Sequence, residues 1–384
     1  MASTMASGHI GGGARILVIG VGGAGSNAVD RMIAADVKGV EFVALNTDQQ
    51  ALGRSRSPRR IRLGDRLTHG LGAGGDPSVG EKAAMECSEA IAEVCIDADM
   101  VFIAAGMGGG TGSGAAPVVA EIAQEAGALT VGVVTKPFAF EGSARRRHAE
   151  EGIAYLREKL QTLIVIPNDR VLQVIERRTT VEMAFSVIDD VLRQGIQGIS
   201  ELITRPWLIN LDFADVRTVM SEPGIALMAI GSAGGEDRAA QAAQLAMASP
   251  LLDLSMQGAH GVLFNVTGGT SLSLGEINSA ADIIRRAADP DANIIFGAVI
   301  DESLGDEVRI TVIATGFEGG DRWPWREPSA PPQGASSGRL PSMSMGTRDQ
   351  DRREPPAAGR HFRRPPLPRE VPLPRSPDWM RRHS

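Results

Sequence analysis

The stretch that decides the fold is Gly108-Gly109-Gly110-Thr111-Gly112-Ser113-Gly114, which follows shortly after the apolar run Met100-Val101-Phe102-Ile103-Ala104-Ala105. Five glycines in seven positions leave a backbone with little side-chain bulk and free access to positive φ. A helix predicted from Ala115 to Ala126 would add its positive N-terminal end. The sequence contains no G-x-x-x-x-G-K-[ST] pattern, so this segment is not a P-loop. We therefore predict a phosphate-binding turn between a buried strand and a helix.

A second glycine cluster competes for the same interpretation. After a predicted strand at 15–19, the chain continues as Gly20-Val21-Gly22-Gly23-Ala24-Gly25-Ser26-Asn27. Gly20, Gly22 and Gly25 satisfy the dinucleotide pattern G-x-G-x-x-G, and Asp48 follows the next strand where a ribose-binding acid is expected. Alone, this pattern suggests a dinucleotide-dependent oxidoreductase. Two glycine turns on neighbouring strand ends fit one triphosphate better.

Composition limits the class of protein. With 384 residues and 43% hydrophobic content, the chain can bury two ordinary cores. No run of 18 apolar residues occurs, so no membrane insertion is predicted. Residues 1–13 lack an apolar region and are predicted to be a disordered leader. Cys87 and Cys95, placed on one predicted helix, are expected to be reduced and buried, and the six scattered histidines predict no metal site.

Charge is distributed unevenly along the chain. From Gly319 onward there are 13 arginines and 7 acidic residues, so this segment carries about +6 of a total of −7, and the remainder carries about −13. An acidic body argues against nucleic acid as the main partner.

The order of elements predicts an α/β fold with a parallel sheet covered on both faces, because apolar strands alternate with glycine turns and helices. The predicted strands of the first part are Ile16–Gly20, Val40–Leu45, Met100–Ala105, Thr130–Val134 and Leu163–Ile166. Ligands in such sheets bind beyond the carboxyl ends of the strands. The segments that follow these ends should form one rim: Gly22–Asn27, Asn46-Thr47-Asp48, Gly72-Ala73-Gly74-Gly75, Gly108–Gly114 and Pro137–Arg145.

A long helix with a 3.6-residue apolar period follows over 181–205, and Pro206 is expected to end it. Gly195 and Gly198 within it are expected to mark close packing. A second, smaller α/β domain is predicted beyond the helix. Its predicted strands are Ile225–Ile230, Val262–Val266, Ile294–Val299 and Val308–Ala314, with helices at 237–248 and 275–288.

The sequence thus predicts a leader (1–13), a nucleotide-binding domain (14–180), a central helix (181–205), a second domain (206–317) and a C-terminal tail (318–384). The tail is rich in Pro and Arg and is predicted to be disordered. Its last stretch, 376–382, combines Trp379 and Met380 with Arg381 and Arg382. Two interpretations stay open for it, a random chain end and a short motif that orders on a partner.

These motifs together resemble FtsZ, the bacterial tubulin homologue of cell division. The likeness covers about 14–317 and rests on motifs that occur in the family's order. They are Gly20–Asn27, Asn46-Thr47-Asp48, Gly108–Gly114, Lys136-Pro137-Phe138 with Glu141-Gly142, Pro167-Asn168-Asp169-Arg170 and Asn210-Leu211-Asp212-Phe213-Ala214-Asp215.

The resemblance implies a tubulin-like GTPase that polymerises head to tail, with GTP or GDP and Mg²⁺ as cofactors. It implies that Glu141 and Arg145 contact ribose and phosphate, that Phe185 stacks on guanine, and that Asn27, Asn168 and Asp189 read the edge of the base. From the periodicity alone, Phe185 is interpreted as a core residue. The nucleotide contacts predicted in full are Gly22, Gly23, Ala24, Gly25, Ser26, Asn27, Asp48, Ala73, Gly74, Gly108, Gly109, Gly110, Thr111, Gly112, Glu141, Arg145, Asn168, Phe185 and Asp189.

The predicted catalytic residues are Asn210, Asp212 and Asp215, and their position has a physical consequence. They follow the far end of the long helix, roughly 30 Å from its start at a rise of 1.5 Å per residue. They should therefore act on a nucleotide bound by the next subunit of a stack. Such a contact joins two different surfaces and can propagate as an open filament. The alternative interpretation is that Asp212 has only a structural role, as an acid that caps a helix or stabilises a turn.

Further expectations follow from the resemblance. The segment 376–382 would bind a membrane tether and division regulators, although Ser376 stands where the family has isoleucine. Trp207 stands where the family has glycine, next to the predicted catalytic residues. It leaves an alternative open, in which the protein forms a filament scaffold that does not hydrolyse GTP. The implied location is the cytoplasm, in a mid-cell ring.

Overall fold

Ten strands lie side by side in one continuous order, seen in a computed structural model that describes residues 14–173, 175, 178–204, 212–221, 224–249, 256 and 258–317. The strands are β1 (Ile16–Val21), β2 (Val40–Asn46), β3 (Arg59–Arg62), β4 (Met100–Gly106), β5 (Leu129–Lys136), β6 (Thr162–Pro167), β7 (Gly224–Gly234), β8 (Gly261–Gly268), β9 (Asn293–Ile300) and β10 (Glu307–Thr315).

Twelve helices connect these strands within the same described ranges. They are α1 (Gly22–Ala34), α2 (Gln49–Arg54), α3 (Asp65–Thr68), α4 (Pro77–Glu86), α5 (Ser88–Cys95), α6 (Gly110–Glu125), α7 (Ser143–Arg157), α8 (Asn168–Val171), α9 (Val181–Thr204), α10 (Phe213–Met220), α11 (Arg238–Met247) and α12 (Leu274–Ala287).

The first six strands form a parallel sheet in the order β3-β2-β1-β4-β5-β6. The chain runs outward from β1 to one side and from β4 to the other, so a crevice opens between the ends of these two strands. Strand β7 pairs in parallel with β6 over a short stretch and antiparallel with β10. Strand β10 continues antiparallel to β8, which pairs in parallel with β9. The predicted α/β class, with a parallel-sheet core and a second α/β region, is confirmed.

The strands β1, β4, β5 and β6 are buried on both faces of the sheet, which explains why they are nearly continuous apolar runs. One face carries α1, α9 and α10, with Phe102 and Val131 in the core between them. The other face carries α5, α6 and α7 around Ile19 and Ile103. A third core lies under α11 and α12 on the second part of the sheet. Helices α1 and α6 thus leave the crevice on opposite faces of the sheet.

The helix predicted from Ala115 already begins at Gly110, which corrects the sequence prediction. The glycines there belong to the first turns of α6 because only they allow the close packing of α4. A Cβ on Gly114 would lie 1.9 Å from the carbonyl oxygen of Pro77, and one on Gly80 would lie 2.2 Å from that of Gly110.

The two cysteines are not on one helix as predicted. Cys87 separates α4 from α5, and Cys95 ends α5. Cys95 is buried as expected, and burial raises the pKa of its thiol to about 11, whereas Cys87 is half-buried.

Helix α9 has 24 residues and is about 36 Å long. Its middle and end are buried, but Val181 is 65% exposed and Phe185 is 39% exposed, so the apolar period does not mark a core position at these two residues. Gly195 and Gly198 do mark close packing, as predicted. A Cβ on Gly195 would lie 2.6 Å from Met228 Sδ, and one on Gly198 would lie 3.0 Å from Thr311 Cγ2.

Other predictions lie outside the described residues or stay open. The leader, Pro206, Trp207, Asn210 and the tail 318–384 are outside the described ranges, and the domain bounds 14–180, 181–205 and 206–317 remain predictions. None of the described helices has both the length and the apolar character that crossing a membrane requires.

The packing of α1 against β4 generates a stability prediction. A Cβ on Gly25 would lie 2.2 Å from the carbonyl oxygen of Ala104, a backbone atom that cannot move aside. We expect Gly25→Ala to lower the free energy of unfolding by about 1–3 kcal/mol, measured by urea denaturation. Gly23→Ala is the matched control on the same helix, because nothing lies within 4 Å of its added Cβ. Equal stability of the two variants would contradict this packing.

Candidate functional site

The two glycine-rich turns meet at the crevice between β1 and β4. A Cβ on Gly22 would lie 3.1 Å from the backbone nitrogen of Gly112 and 3.4 Å from Thr111 Cβ. A Cβ on Gly106 would lie 2.6 Å from that of Ala24. The predicted pair of turns is therefore one continuous surface made largely of backbone.

The helices that start at this surface present their N–H groups without side-chain caps. Neither α1 nor α6 has a capping side chain or an acidic residue in its first turn. By contrast, Asp48 and Asp76 cap α2 and α4. Uncapped N–H groups at two adjacent helix starts form an anion site because their partial positive charges add.

A third segment closes one side of the site. Thr47 and Thr111 share a hydrogen bond of 2.7 Å between their hydroxyls, and the N–H of Gly72 donates to the carbonyl of Thr47. A Cβ on Gly110 would lie 2.8 Å from that of Ala73. The predicted loop contacts Ala73 and Gly74 thus belong to a segment that reaches the start of α6.

Asp48 is at this rim, but its carboxylate already has a structural role. Its Oδ1 accepts hydrogen bonds from the N–H groups of Gln50 at 2.8 Å and Ala51 at 3.0 Å. The position predicted for a ribose-binding acid is thus that of a helix cap, and a role for Asp48 toward a ligand stays a prediction.

On the other side, the segment after β5 holds an acid and a base together. Glu141 Oε1 accepts a hydrogen bond from the N–H of Phe138 at 2.9 Å, while its Oε2 accepts one from Arg145 Nη1 at 2.6 Å. A Cβ on Gly108 would lie 2.7 Å from the carbonyl oxygen of Arg145. Glu141 is fixed and largely buried, whereas the Arg145 side chain is 60% exposed next to the glycine turn.

Two buried polar atoms at the site have no hydrogen-bond partner among the described residues. They are Ser26 Oγ in α1 and Asn168 Oδ1 at the start of α8. Burial without a partner costs roughly 1–3 kcal/mol for each such group. These atoms fit a ligand that supplies hydrogen-bond donors or acceptors at the ends of β1 and β6.

Phe185 is exposed at the same end, which overturns its interpretation as a core residue. Its ring meets that of buried Phe138 edge to face, with centroids 5.4 Å apart, and Phe140 stacks on Phe138 at 4.8 Å. An exposed ring held by a buried one is a stacking platform for a planar ligand.

Asp189 lies one helical turn after Phe185 and is buried. Its Oδ2 accepts a hydrogen bond from Arg31 Nε at 3.2 Å. Burial nevertheless raises the pKa of the Asp189 carboxyl to about 6, because desolvation outweighs the attraction of Arg31. Such a carboxylate lacks part of its solvation and accepts hydrogen bonds readily from a ligand.

Sequence reasoning missed Arg31 and Phe138, which position Asp189 and Phe185. Arg31 is four residues after Asn27, so both lie on one face of α1, and this spacing could have indicated it. Phe138 belongs to the predicted rim segment 137–145, but nothing in the sequence indicated its contact with Phe185, which joins distant parts of the chain.

The predicted catalytic acids are not near this site in the same chain. Asp212 and Asp215 are exposed at the start of α10, and Asn210 lies outside the described residues. The end of α10 is anchored where β6 begins, because Thr162 Oγ1 donates to the carbonyl of Met220. Asn168 follows the other end of β6, roughly 17 Å away at about 3.3 Å per residue. The acids are thus carried by a helix that is anchored at the amino end of β6, whereas the glycine surface follows the carboxyl ends of β1 and β4.

Comparison with known proteins decides what this arrangement is. Residues 15–176 match the GTPase domain of the Tubulin/FtsZ family, and residues 224–318 match the C-terminal domain of the FtsZ family. A structure described as an empty FtsZ dimer from M. jannaschii is 46% identical, with a TM-score of 0.77, and the match covers 79% of this chain and 88% of that one. The chain belongs to the FtsZ family.

More distant structures share the fold alone. CetZ2 from Haloferax volcanii, described as a GTPγS-bound protofilament, is 19% identical with a TM-score of 0.68. CetZ1 from the same organism, described as a GDP-bound monomer, is 21% identical with a TM-score of 0.69. Each match covers 80% of this chain and 95% of the other.

This FtsZ-family chain is a GTPase that binds guanine nucleotide, and not the dinucleotide oxidoreductase that its first glycine cluster also suggested. The site fits GTP on its own geometry, since two uncapped helix starts meet there and the buried Asn168 Oδ1 at the start of α8 has no partner among the described residues. Within the described ranges, no group of three or more His, Cys, Asp or Glu side chains is placed to hold a metal ion. The individual nucleotide contacts remain predictions.

The raised pKa of Asp189 generates a prediction about binding. The carboxylate is ionised above pH 6 and protonated below it, so a ligand that donates hydrogen bonds to it should bind more weakly as pH falls through about 6. We expect up to a tenfold loss of GTP affinity per pH unit below that value. Calorimetric titration between pH 5 and 8 measures this, with Asp189→Asn as the comparison.

Asp189→Asn should bind GTP weakly at every pH and lose this dependence. The γ-phosphate titrates in both proteins, so the difference between them isolates Asp189. The folded pKa is raised, so protonation stabilises the fold fully below pH 3.8 and this contribution is lost as pH rises through about 6. The substitution should therefore not lower thermal stability without nucleotide at pH 8. Glu182→Gln, exposed in the first turn of α9, is the control. An unchanged pH profile in Asp189→Asn would contradict the assignment.

Proposed function

We propose that this GTPase polymerises head to tail and hydrolyses GTP at the interface between successive subunits. The observation that carries the proposal is the placement of Asp212 and Asp215 at the start of α10. This helix is anchored at the amino end of β6, whereas the glycine surface follows the carboxyl ends of the strands. Both side chains are exposed, as groups that act on a neighbour must be.

Head-to-tail stacking would bring the glycine surface of one subunit against α10 of the next. The rim of one subunit then faces α10 of the next, and α9, about 36 Å long, spans the distance between the two surfaces within each subunit. Because the two surfaces differ, every subunit that joins the stack still has one unoccupied surface at which another subunit can bind. The contact therefore propagates as a filament. The dimer from M. jannaschii and the CetZ2 protofilament support self-association in relatives of this fold.

The chain's own residues supply binding and charge stabilisation. N–H groups at the starts of α1 and α6 would hold the phosphates, and Arg145 would add a cation as negative charge shifts in the transition state. Mg²⁺, when bound through phosphate oxygens and water, would neutralise further charge. Asp212 and Asp215 of the adjacent subunit, with Asn210, would orient the attacking water.

The base would lie between α1, α8 and α9. Phe185 supplies a stacking face, and Asn27, Asn168 and Asp189 lie on the helices around it. A buried carboxylate accepts from the N1–H and N2–H groups that guanine carries.

The decisive experiment mixes two inactive variants. One carries Asp212→Ala with Asp215→Ala, binds GTP and should lose about 100-fold in turnover. The other carries Asn168→Ala with Asp189→Ala and should not bind GTP but keeps both acids. Phosphate release should reappear in the mixture, because the acids of the second variant complete the site of the first. Wild-type turnover per molecule should vanish on dilution.

Thr218→Ala, also exposed on α10, is the matched control and should hydrolyse GTP normally. Normal turnover of the double acid variant, or of diluted monomer, would overturn the interface model. Filaments of the wild type without any phosphate release would instead support a non-hydrolysing scaffold, the alternative that Trp207 keeps open.

In the cell, we propose that the filaments form the cytokinetic ring of a bacterium, at mid-cell in the cytoplasm. The segment 376–382 would bind a membrane tether and division regulators through Trp379, Met380, Arg381 and Arg382. Nucleic acid is not an expected partner.

Truncation before Ser376 should separate assembly from localisation. We expect a chain ending at Arg375 to hydrolyse GTP at the normal rate and to lose its mid-cell position, observed with a fluorescent fusion. A full-length Ser376→Ala chain is the control and should localise normally. Mid-cell rings formed by the truncated chain alone would contradict the tether role.

A further inference from the structure

A cavity of about 310 Å³ lies between α12 and β9, remote from the nucleotide site. Its wall includes the stacked rings of Phe264 and Phe296, with centroids 5.5 Å apart and planes 15° from parallel. Phe264 is fully buried, whereas Arg285 and Asp289 line the cavity nearer to solvent. An aromatic wall with one charge of each sign beside it is typical of a binding site for an amphipathic ring.

The size of the cavity limits what it holds. Pockets for small molecules measure about 300–1,000 Å³, so this one accommodates a single ring system and not a nucleotide. Aromatic side chains pair favourably with other rings in offset or edge-on geometry. An indole from a polypeptide therefore matches the cavity in size and chemistry.

The described chain ends close to this cavity. Thr315, the last residue of β10, is in register with Gly261 on β8, and Gly261 is in register with Asn293 at the start of β9. Two strand spacings place Thr315 about 10 Å from Asn293. Phe317 packs against the same core as Phe296, so the chain leaves on the face of the sheet that carries α12.

The next residues along the chain include two indoles. Two of the four tryptophans in the sequence occur in Trp323-Pro324-Trp325. The six residues from Phe317 to Trp323 span up to about 20 Å, more than the distance required. Arg322 and Arg326 flank this segment, and their charge is of opposite sign to that of Asp289. Asp321 is likewise opposite in sign to Arg285.

We propose that the indole of Trp323 occupies the cavity between α12 and β9 of its own chain. Neither GTP binding nor hydrolysis enters this proposal, so it stands or fails separately from the proposed function.

Fluorescence of full-length single-tryptophan proteins tests the proposal. In one protein Trp323 is kept and the other three tryptophans are replaced by Phe, and in a second Trp325 is kept instead. We expect the protein that keeps Trp323 to emit at shorter wavelength and to resist quenching by acrylamide, and the protein that keeps Trp325 to serve as the comparison. Ala281→Met, which extends a side chain into the cavity from α12, should shift that emission to longer wavelength and restore quenching. Ser279→Met, exposed on the same helix, should change neither.

A second measurement does not depend on a substitution in the folded core. In a full chain with Trp323→Ser and Trp325→Ser, backbone amides of 281–296 should exchange hydrogen faster than in the wild type. The proposal is overturned if the protein that keeps Trp323 emits as a solvent-exposed indole, or if exchange over 281–296 is unchanged. A blue shift that appears only at high protein concentration would also overturn it, because the indole would then come from a second copy.

Discussion

The structure depends on the close approach of two helix starts across the ends of β1 and β4. Gly22 and Gly112 bring backbone against backbone, and a Cβ on Gly22 would lie 3.1 Å from the partner nitrogen. This contact is possible because α1 and α6 leave the crevice on opposite faces of the sheet. The strand order β3-β2-β1-β4-β5-β6 is what creates that divergence. The anion site is thus a consequence of topology, and the glycines are the residues that permit it.

The same sheet also separates binding from the predicted chemistry. Parallel strands place every turn that follows a strand at one end of the sheet, so the predicted phosphate, ribose and base contacts collect there. Helix α10, which carries the predicted catalytic acids, is anchored where β6 begins, at the other end of the strands. In the proposed function, the site of one subunit is therefore incomplete. Assembly and hydrolysis are coupled by geometry in this proposal, without any conformational signal between distant parts of the chain.

Much of the fold could be predicted because its signals are local. Apolar strands followed by glycine turns indicated β1, β4 and the rim, and Gly195 and Gly198 indicated the close packing of α9. The predicted start of α6 was wrong because tertiary packing, and not a local signal, determines it. The helix begins at Gly110, where α4 packs against it. Short elements such as β3 carry no periodicity of their own. Phe185 shows the limit of periodicity, since an apolar residue in helical register with the core is exposed.

The base end of the site shows how selectivity for guanine would arise from groups that are poorly satisfied without ligand. Asn168 Oδ1 has no partner among the described residues, and burial has raised the pKa of Asp189. Guanine would donate two N–H groups to the Asp189 carboxylate. Adenine carries no N1–H and would leave the buried carboxylate short of a partner. A site built to satisfy a buried polar group rejects ligands that lack the matching group by about 10⁴-fold or more, far beyond what shape alone achieves. Stacking on Phe185 would hold any base, so in this proposal the discrimination would come from Asp189 and the groups around it.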